Sequence, residues 1–155
     1  MKRIDFDLIV NELLIGLKNG QEVAEKYGHI DTFGPTFFGE YRTVGFNVPR
    51  QMGKSYWMVK RIMGNEKALM VVRDSFLRTG LLSAHRFDRG ELEESVKARL
   101  ITANELKVRI ADGTLGDFDE FLIDEASHWF HFARRAVYEY LWDKKALNTT
   151  LIVVG

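Results

Sequence analysis

The chain has no cysteine, only two prolines among 155 residues, and no excess of either charge: twenty-two basic residues balance twenty-two acidic ones. Without cysteine there are no disulfides and no thiolate metal sites, and nothing speaks for an oxidising compartment. So few prolines, with no Ser/Gly-rich tract, argue against a linker or disordered tail. Charge balance removes the overall positive field that draws many proteins to nucleic acid, leaving only a local basic patch and an expected weak intrinsic affinity for DNA. In the opening "MKRIDFDLIV", Asp5 and Asp7 interrupt what would be a signal peptide's apolar region, and no run approaches the length of a membrane span. A cytosolic chain without membrane contact is the expectation. The 46% apolar and 28% charged composition is that of one globular domain.

Apolar residues at Phe6, Ile9, Val10, Leu13, Leu14 and Leu17 recur at three- and four-residue steps and predict a helix over Asp5–Lys18. Gly20 is suited to cap it, and a second short helix follows from Gln21 to Gly28. "HIDTFGPTFFGEYRT" reads as a loop or irregular apron over the core, with Gly34-Pro35 breaking any helix. The two helices echo a helix-turn-helix, but a recognition helix would fall across that Gly-Pro break, so packing on the sheet's edge is preferred.

Beyond this segment, strands alternate with helices. "TVGFNV" (43–48), "KALMVVR" (67–73), "KVRIADG" (107–113), "EFLIDEAS" (120–127) and "NTTLIVVG" (148–155) read as strands; "SYWMVKRIMG", "ELEESVKARLI" (91–101) and "HWFHFARRAVYEYLWDKKA" read as helices. Nearly continuous apolar strands between helices predict an α/β fold with a mainly parallel sheet covered on both faces. The N-terminal helices and aromatic loop (1–42) are expected to pack on a core formed by 43–155.

"NVPRQMGKS" joins the first strand to its helix. A phosphate loop works because backbone N–H groups wrap the β- and γ-phosphates at a helix N-terminus, a lysine reaches the same oxygens, and a hydroxyl holds Mg²⁺. Gly53, Lys54 and Ser55 supply these types, although Val48 stands where the usual pattern opens with glycine. A lysine in a surface turn is the plainer alternative. Asp124 and Glu125 end an apolar strand, where such proteins carry one carboxylate that steers Mg²⁺ and one that activates water. Alone, the pair would read as a helix N-cap with an acidic first turn.

Together, "PRQMGKS" and "FLIDEAS" resemble the ATPase domain of phage terminase large subunits and, more distantly, superfamily 2 helicases. The loop of that family commonly lacks the first glycine and carries an arginine where Arg50 stands. The resemblance spans about Thr43–Gly155 and implies a P-loop NTPase (RecA/ASCE-like) core hydrolysing ATP with Mg²⁺ to drive DNA packaging or remodelling, in the host cytoplasm if viral. It implies that Pro49, Arg50, Gln51, Met52, Gly53, Lys54, Ser55 and Tyr56 cradle the nucleotide. Lys54 would bind the β/γ-phosphates, Ser55 would ligate Mg²⁺, Asp124 would hold the metal's water shell, and Glu125 would be the general base. Arg50 would act as a sensor or cis finger toward charge developing on the γ-phosphate.

The family continues past the position of Gly155 with a Thr/Ser coupling segment and a nuclease domain. A fragment of a longer motor, or a stand-alone ATPase without the output parts, is therefore expected. Double-stranded DNA and packaging proteins are the implied partners.

Secondary candidates follow the same resemblance, each with a plainer counterpart. Phe37, Phe38, Tyr41 and Gln51 are candidates for holding adenine, against core packing. Arg73 and Arg78 are candidates for a nucleic-acid backbone, against solvated charge. Ser127 or His128 would reach the γ-phosphate through water, and Arg134 or Arg135 would serve a neighbouring subunit in a homo-oligomer as a trans finger. His128 and His131, three apart, suggest metal ligands, against helix residues near the core. Different classes stay open: a nucleotide switch or scaffold that does not hydrolyse, a helicase-like fragment, or a small kinase.

Overall fold

The computed structural model describes residues 4–49, 51–85 and 90–155. Its centre is a five-stranded sheet, all parallel, in the order β1 (Thr43–Phe46), β5 (Thr150–Val154), β4 (Glu120–Ile123), β2 (Ala68–Val72), β3 (Leu100–Thr102). Strand periodicity of two sorts the apolar residues onto two faces. Leu69, Val71, Ile101, Phe121, Ile123 and Leu151 point to one face, covered by α2 (Phe37–Tyr41), α6 (Ala103–Ala111) and α7 (Ala126–Asp143). Ala68, Met70, Val72, Leu100, Leu122 and Ile152 point to the other, covered by α1 (Phe6–Lys26), α3 (Lys54–Gly64), α4 (Ser75–Ala84) and α5 (Gly90–Arg99). Burial on both faces is why these strands read as unbroken apolar runs. Each large side chain so buried contributes about 1.5–3 kcal/mol.

The N-terminal segment straddles the sheet. Val10 of α1 joins the core on one face, and Phe37 and Phe38 join it on the other. Contrary to the expected break, α1 runs unbroken through Gly20. Asp5 caps it by accepting from the Leu8 N–H at 3.0 Å, and the glycine that turns left-handed is Gly28, at φ 70°. An interior glycine costs only about 1 kcal/mol, and the apolar stripe of Phe6, Val10, Leu14 and Leu17 continues to the buried Ala24. With no turn between two helices, the helix-turn-helix reading fails.

A second correction concerns Lys107–Gly113, expected as a strand. Its residues up to Ala111 belong to α6 and the last two to the turn that follows; the helix is opened by a reciprocal cap in which Glu105 N–H donates to Thr102 Oγ1 (3.2 Å) and Thr102 N–H to Glu105 (2.7 Å). The strand lies just before it: β3 takes Leu100 and Ile101, which had been assigned to the end of the preceding helix. The expected apron at 29–43 is partly helical, with two 3-10 turns leading into α2, and its last residue, Thr43, opens β1. Among the described residues no helix is long and apolar enough to cross a membrane.

Two arginines fix α3, the helix after the phosphate-loop motif. Arg61 grips Glu120 at 2.7 and 2.8 Å and Asp7 at 2.8 Å, joining α3 to β4 and α1, and the Glu120 hydrogen bonds raise its pKa. Arg99 donates through Nη1 to the carbonyls of Ile62, Asn65 and Ala68, closing the helix's C-terminal end.

Candidate active site

The loop from Asn47 to Gly53 leaves the C-terminal end of β1 and delivers Lys54 as the first residue of α3. Gly53 is left-handed at φ 79° and Gln51 at φ 66°, so the chain reverses sharply before the helix. Among the described residues no side chain caps α3. Its first-turn N–H groups therefore face the space above the sheet without intrahelical acceptors, the arrangement that favours an anion.

Asp124 and Glu125 follow β4 directly. Asp124 N–H donates to Val71 O at 2.9 Å, extending the strand pairing, and Trp129 Nε1 holds the Asp124 carbonyl at 2.9 Å. Only 2% of Asp124 is exposed, and both carboxylate oxygens are engaged. Oδ2 accepts from Ser55 Oγ at 2.6 Å; Oδ1 accepts from the Glu125 N–H at 2.9 Å and lies 3.7 Å from Lys54 Nζ. A buried carboxylate is tolerable because each of its oxygens faces a donor or cation.

Lys54 also donates to the carbonyl of Gly155, just past β5, at 2.9 Å. Because β5 lies between β1 and β4, its end is where the loop lysine and the β4 carboxylate meet.

A cleft of about 720 Å³ opens over these groups, within the range usual for small-molecule sites. Val48, Pro49, Gln51, Gly53, Lys54, Ser55 and Tyr56 line one side, and Arg73, Glu125, His128 and Gly155 the other. Compared with models of known protein families, with curated proteins and with solved structures, the chain shows no significant match.

Of the expected residues, Pro49, Gln51, Gly53, Lys54, Ser55, Tyr56, Asp124 and Glu125 come together. Arg50 lies outside the described residues. Met52 lines a neighbouring cleft of about 460 Å³ with Ile4–Asp7, Trp57 and Lys60, and Gly53 and Tyr56 line both clefts. The part played by Ile4–Asp7 was not visible in the sequence, since it depends on α1 packing beside α3.

Phe37 and Phe38 are fully buried, with Phe37 against Trp142 and Phe38 stacked on Tyr138. Neither presents a ring to a ligand, so the adenine-stacking role is replaced by core packing. Tyr41 packs against Phe33 and Phe37 in the same cluster.

Arg78 is engaged by Glu105 at 3.1 Å and the Lys97 carbonyl at 3.0 Å, bracing α4. His128 reaches the cleft, whereas Ser127 and His131 line a separate groove with Arg134. Among the described residues no three His, Cys, Asp or Glu side chains gather as a metal cage. Arg134 and Arg135 are exposed on α7, with Arg135 paired to Glu139 at 2.7 Å.

Arg73, a candidate for a nucleic-acid backbone against solvated charge, lines the cleft. Its Nη1 is 3.2 Å from Glu125 Oε2 and its Nε donates to Asp74 at 2.8 Å. The Asp74 hydrogen bond, followed by the charge of Glu125, raises the guanidinium pKa above its ordinary value.

Proposed function

We propose that the chain is a Mg²⁺-dependent ATPase with a P-loop (RecA/ASCE-like) core, of the kind that powers DNA packaging or remodelling. One observation carries the reading. Ser55 Oγ and Lys54 Nζ converge on Asp124, at 2.6 and 3.7 Å, beneath a cleft into which an uncapped helix N-terminus opens.

Hard oxygen donors suit Mg²⁺, which takes one or two protein ligands and fills its remaining positions with phosphate and water. Ser55 Oγ and the Asp124 carboxylate are such donors, side by side, and would hold it; when bound, the ion neutralises charge on the phosphate oxygens. The α3 N–H groups and Lys54 bind the β- and γ-phosphates, with Lys54 exchanging the Gly155 carbonyl for phosphate oxygen. Glu125 takes a proton from a water that attacks the γ-phosphorus in line, as the bond from that phosphorus to the β,γ-bridging oxygen breaks to leave ADP and inorganic phosphate. Pro49 and Gln51 border the phosphates. Arg50 is assigned to the γ-phosphate from the sequence pattern.

Phosphate release from ATP and Mg²⁺, with and without double-stranded DNA, tests this against Lys54→Ala. Lysine-dependent turnover is expected, and stimulation by DNA supports the packaging or remodelling setting. Binding without turnover would make the chain a nucleotide switch or scaffold instead, and absence of binding would overturn the site.

A further inference from the structure

We propose that Arg73 is a positioning residue for the Glu125 carboxylate, held in place by Asp74. The inference rests on the reading of Glu125 as general base. Arg73 follows β2 and Glu125 follows β4, and these strands are neighbours in the sheet. From β2 the chain leaves toward β3 on one side, and from β4 toward β5 on the other. The two side chains thus meet at a point where the topology reverses, the place where parallel sheets open a crevice for ligands.

Glu125 has a fixed backbone and an unfixed side chain. Its main chain is left-handed at φ 49°, ψ 37°, and its N–H is held by Asp124 at 2.9 Å. Oε2, by contrast, is enclosed and accepts no hydrogen bond from the described residues. Arg73 Nη1, 3.2 Å away, is near enough to supply opposite charge though not aligned to donate. Without it, no described residue offers the enclosed carboxylate oxygen a donor or counter-charge, and the side chain gains by turning to water and away from the attacking position.

Arg73 is itself anchored. Asp74 gives one carboxylate oxygen to Arg73 Nε at 2.8 Å and the other to the N–H of Leu77 at 3.0 Å, where it caps α4. The order of restraint runs from a helix N-terminus through Asp74 and Arg73 to Glu125. It uses the guanidinium's fixed fork, with Nε to one carboxylate and Nη1 to the other, which a lysine's point charge does not reproduce.

The test compares Arg73→Ala, Arg73→Lys, Asp74→Asn and Glu125→Gln in the full chain, measuring ATP turnover, ATP affinity and melting temperature. Asparagine caps a helix as well as aspartate, but with its oxygen on Leu77 its amide faces Arg73 donor to donor. Asp74→Asn therefore loosens Arg73 while keeping α4 capped. Expected is a fall in kcat of about tenfold to a hundredfold for Arg73→Ala, a smaller fall for Asp74→Asn, partial recovery in Arg73→Lys, and little change in affinity. Arg73→Ala should lower the melting temperature more when Glu125 is present than when Glu125→Gln is already in place, where only the Asp74 contact is lost.

An equal melting loss in both backgrounds overturns the pairing. So does weakened affinity with kcat unchanged, which would make Arg73 a direct phosphate ligand. If Glu125→Gln abolishes turnover while Arg73→Ala and Asp74→Asn do not reduce it, positioning fails and the base assignment stands. If Glu125→Gln retains turnover, the base assignment fails, and the melting comparison still decides whether the pair exists. Absence of turnover in the unaltered chain overturns both.

Discussion

Ser55 Oγ stands 2.6 Å from Asp124 Oδ2, joining the first turn of α3 to the end of β4. A hydroxyl and a carboxylate at that distance can share one hard cation between them. Asp124→Asn keeps the shape and removes the charge. The Mg²⁺ concentration for half-maximal turnover should rise about tenfold or more, by analogy with lost support around metal ligands; an unchanged Mg²⁺ titration would remove Asp124 from the metal's surroundings.

Glu125→Gln should leave ATP binding intact and lower kcat by about a hundredfold to ten-thousandfold, the span attributed to a positioned base. Separating kcat from affinity is essential here, because a variant that loses binding has been damaged in the cradle and not in the proton transfer.

Phe38→Ala distinguishes core from ligand contact. The ring is fully buried and stacked on Tyr138 at 6.2 Å between centroids, so a loss of about 3–5 kcal/mol in stability is expected. At a temperature where the variant remains folded, ATP affinity should match that of the unaltered chain. Weakened affinity in the folded variant would restore the aromatic segment to the nucleotide site.

The α6 cap carries a pH dependence. Burial pulls the Glu105 carboxyl upward, but its hydrogen bonds with Thr102 and the charges of Arg78 and Arg109 outweigh this and hold it below its ordinary 4.5. A depressed folded value means the charged form is favoured by folding. The contribution is complete above the unfolded value and is lost as pH falls from about 4.5 through the folded one. Melting temperature measured downward from neutral pH should therefore fall less for Glu105→Gln than for the unaltered chain, and parallel curves would contradict the assignment.

Much of the framework was legible because buried parallel strands are distinctive: "LMVV", "EFLI" and "LIVV" each carry apolar residues on both faces. The phosphate-loop motif and the carboxylate pair were legible for a different reason, since each combines special residue types with a strand-to-helix junction. Arg73 was not, because its nearness to Glu125 follows from β2 lying beside β4, and strand order is not written in the local pattern. The short β3 and α6 were misassigned because "KVRI" fits alternation as well as helical spacing. Yet Thr102 and Glu105, three apart, already spelled a helix start. Gly20 misled in the opposite direction, a possible stop overridden by a stripe that continued past it.

The register Thr43↔Leu151 means that, among the described residues, β1, which bears the phosphate loop, pairs with β5 alone, a strand that lies far along the chain from it. During synthesis β2, β3 and β4 can assemble while β1 still has no neighbour, and closing that long separation is an entropically costly, late step. The loop's geometry then depends on a strand that joins the sheet after β2, β3 and β4. Competence to bind a phosphate should appear late in folding, and be lost early when the edge of the sheet opens.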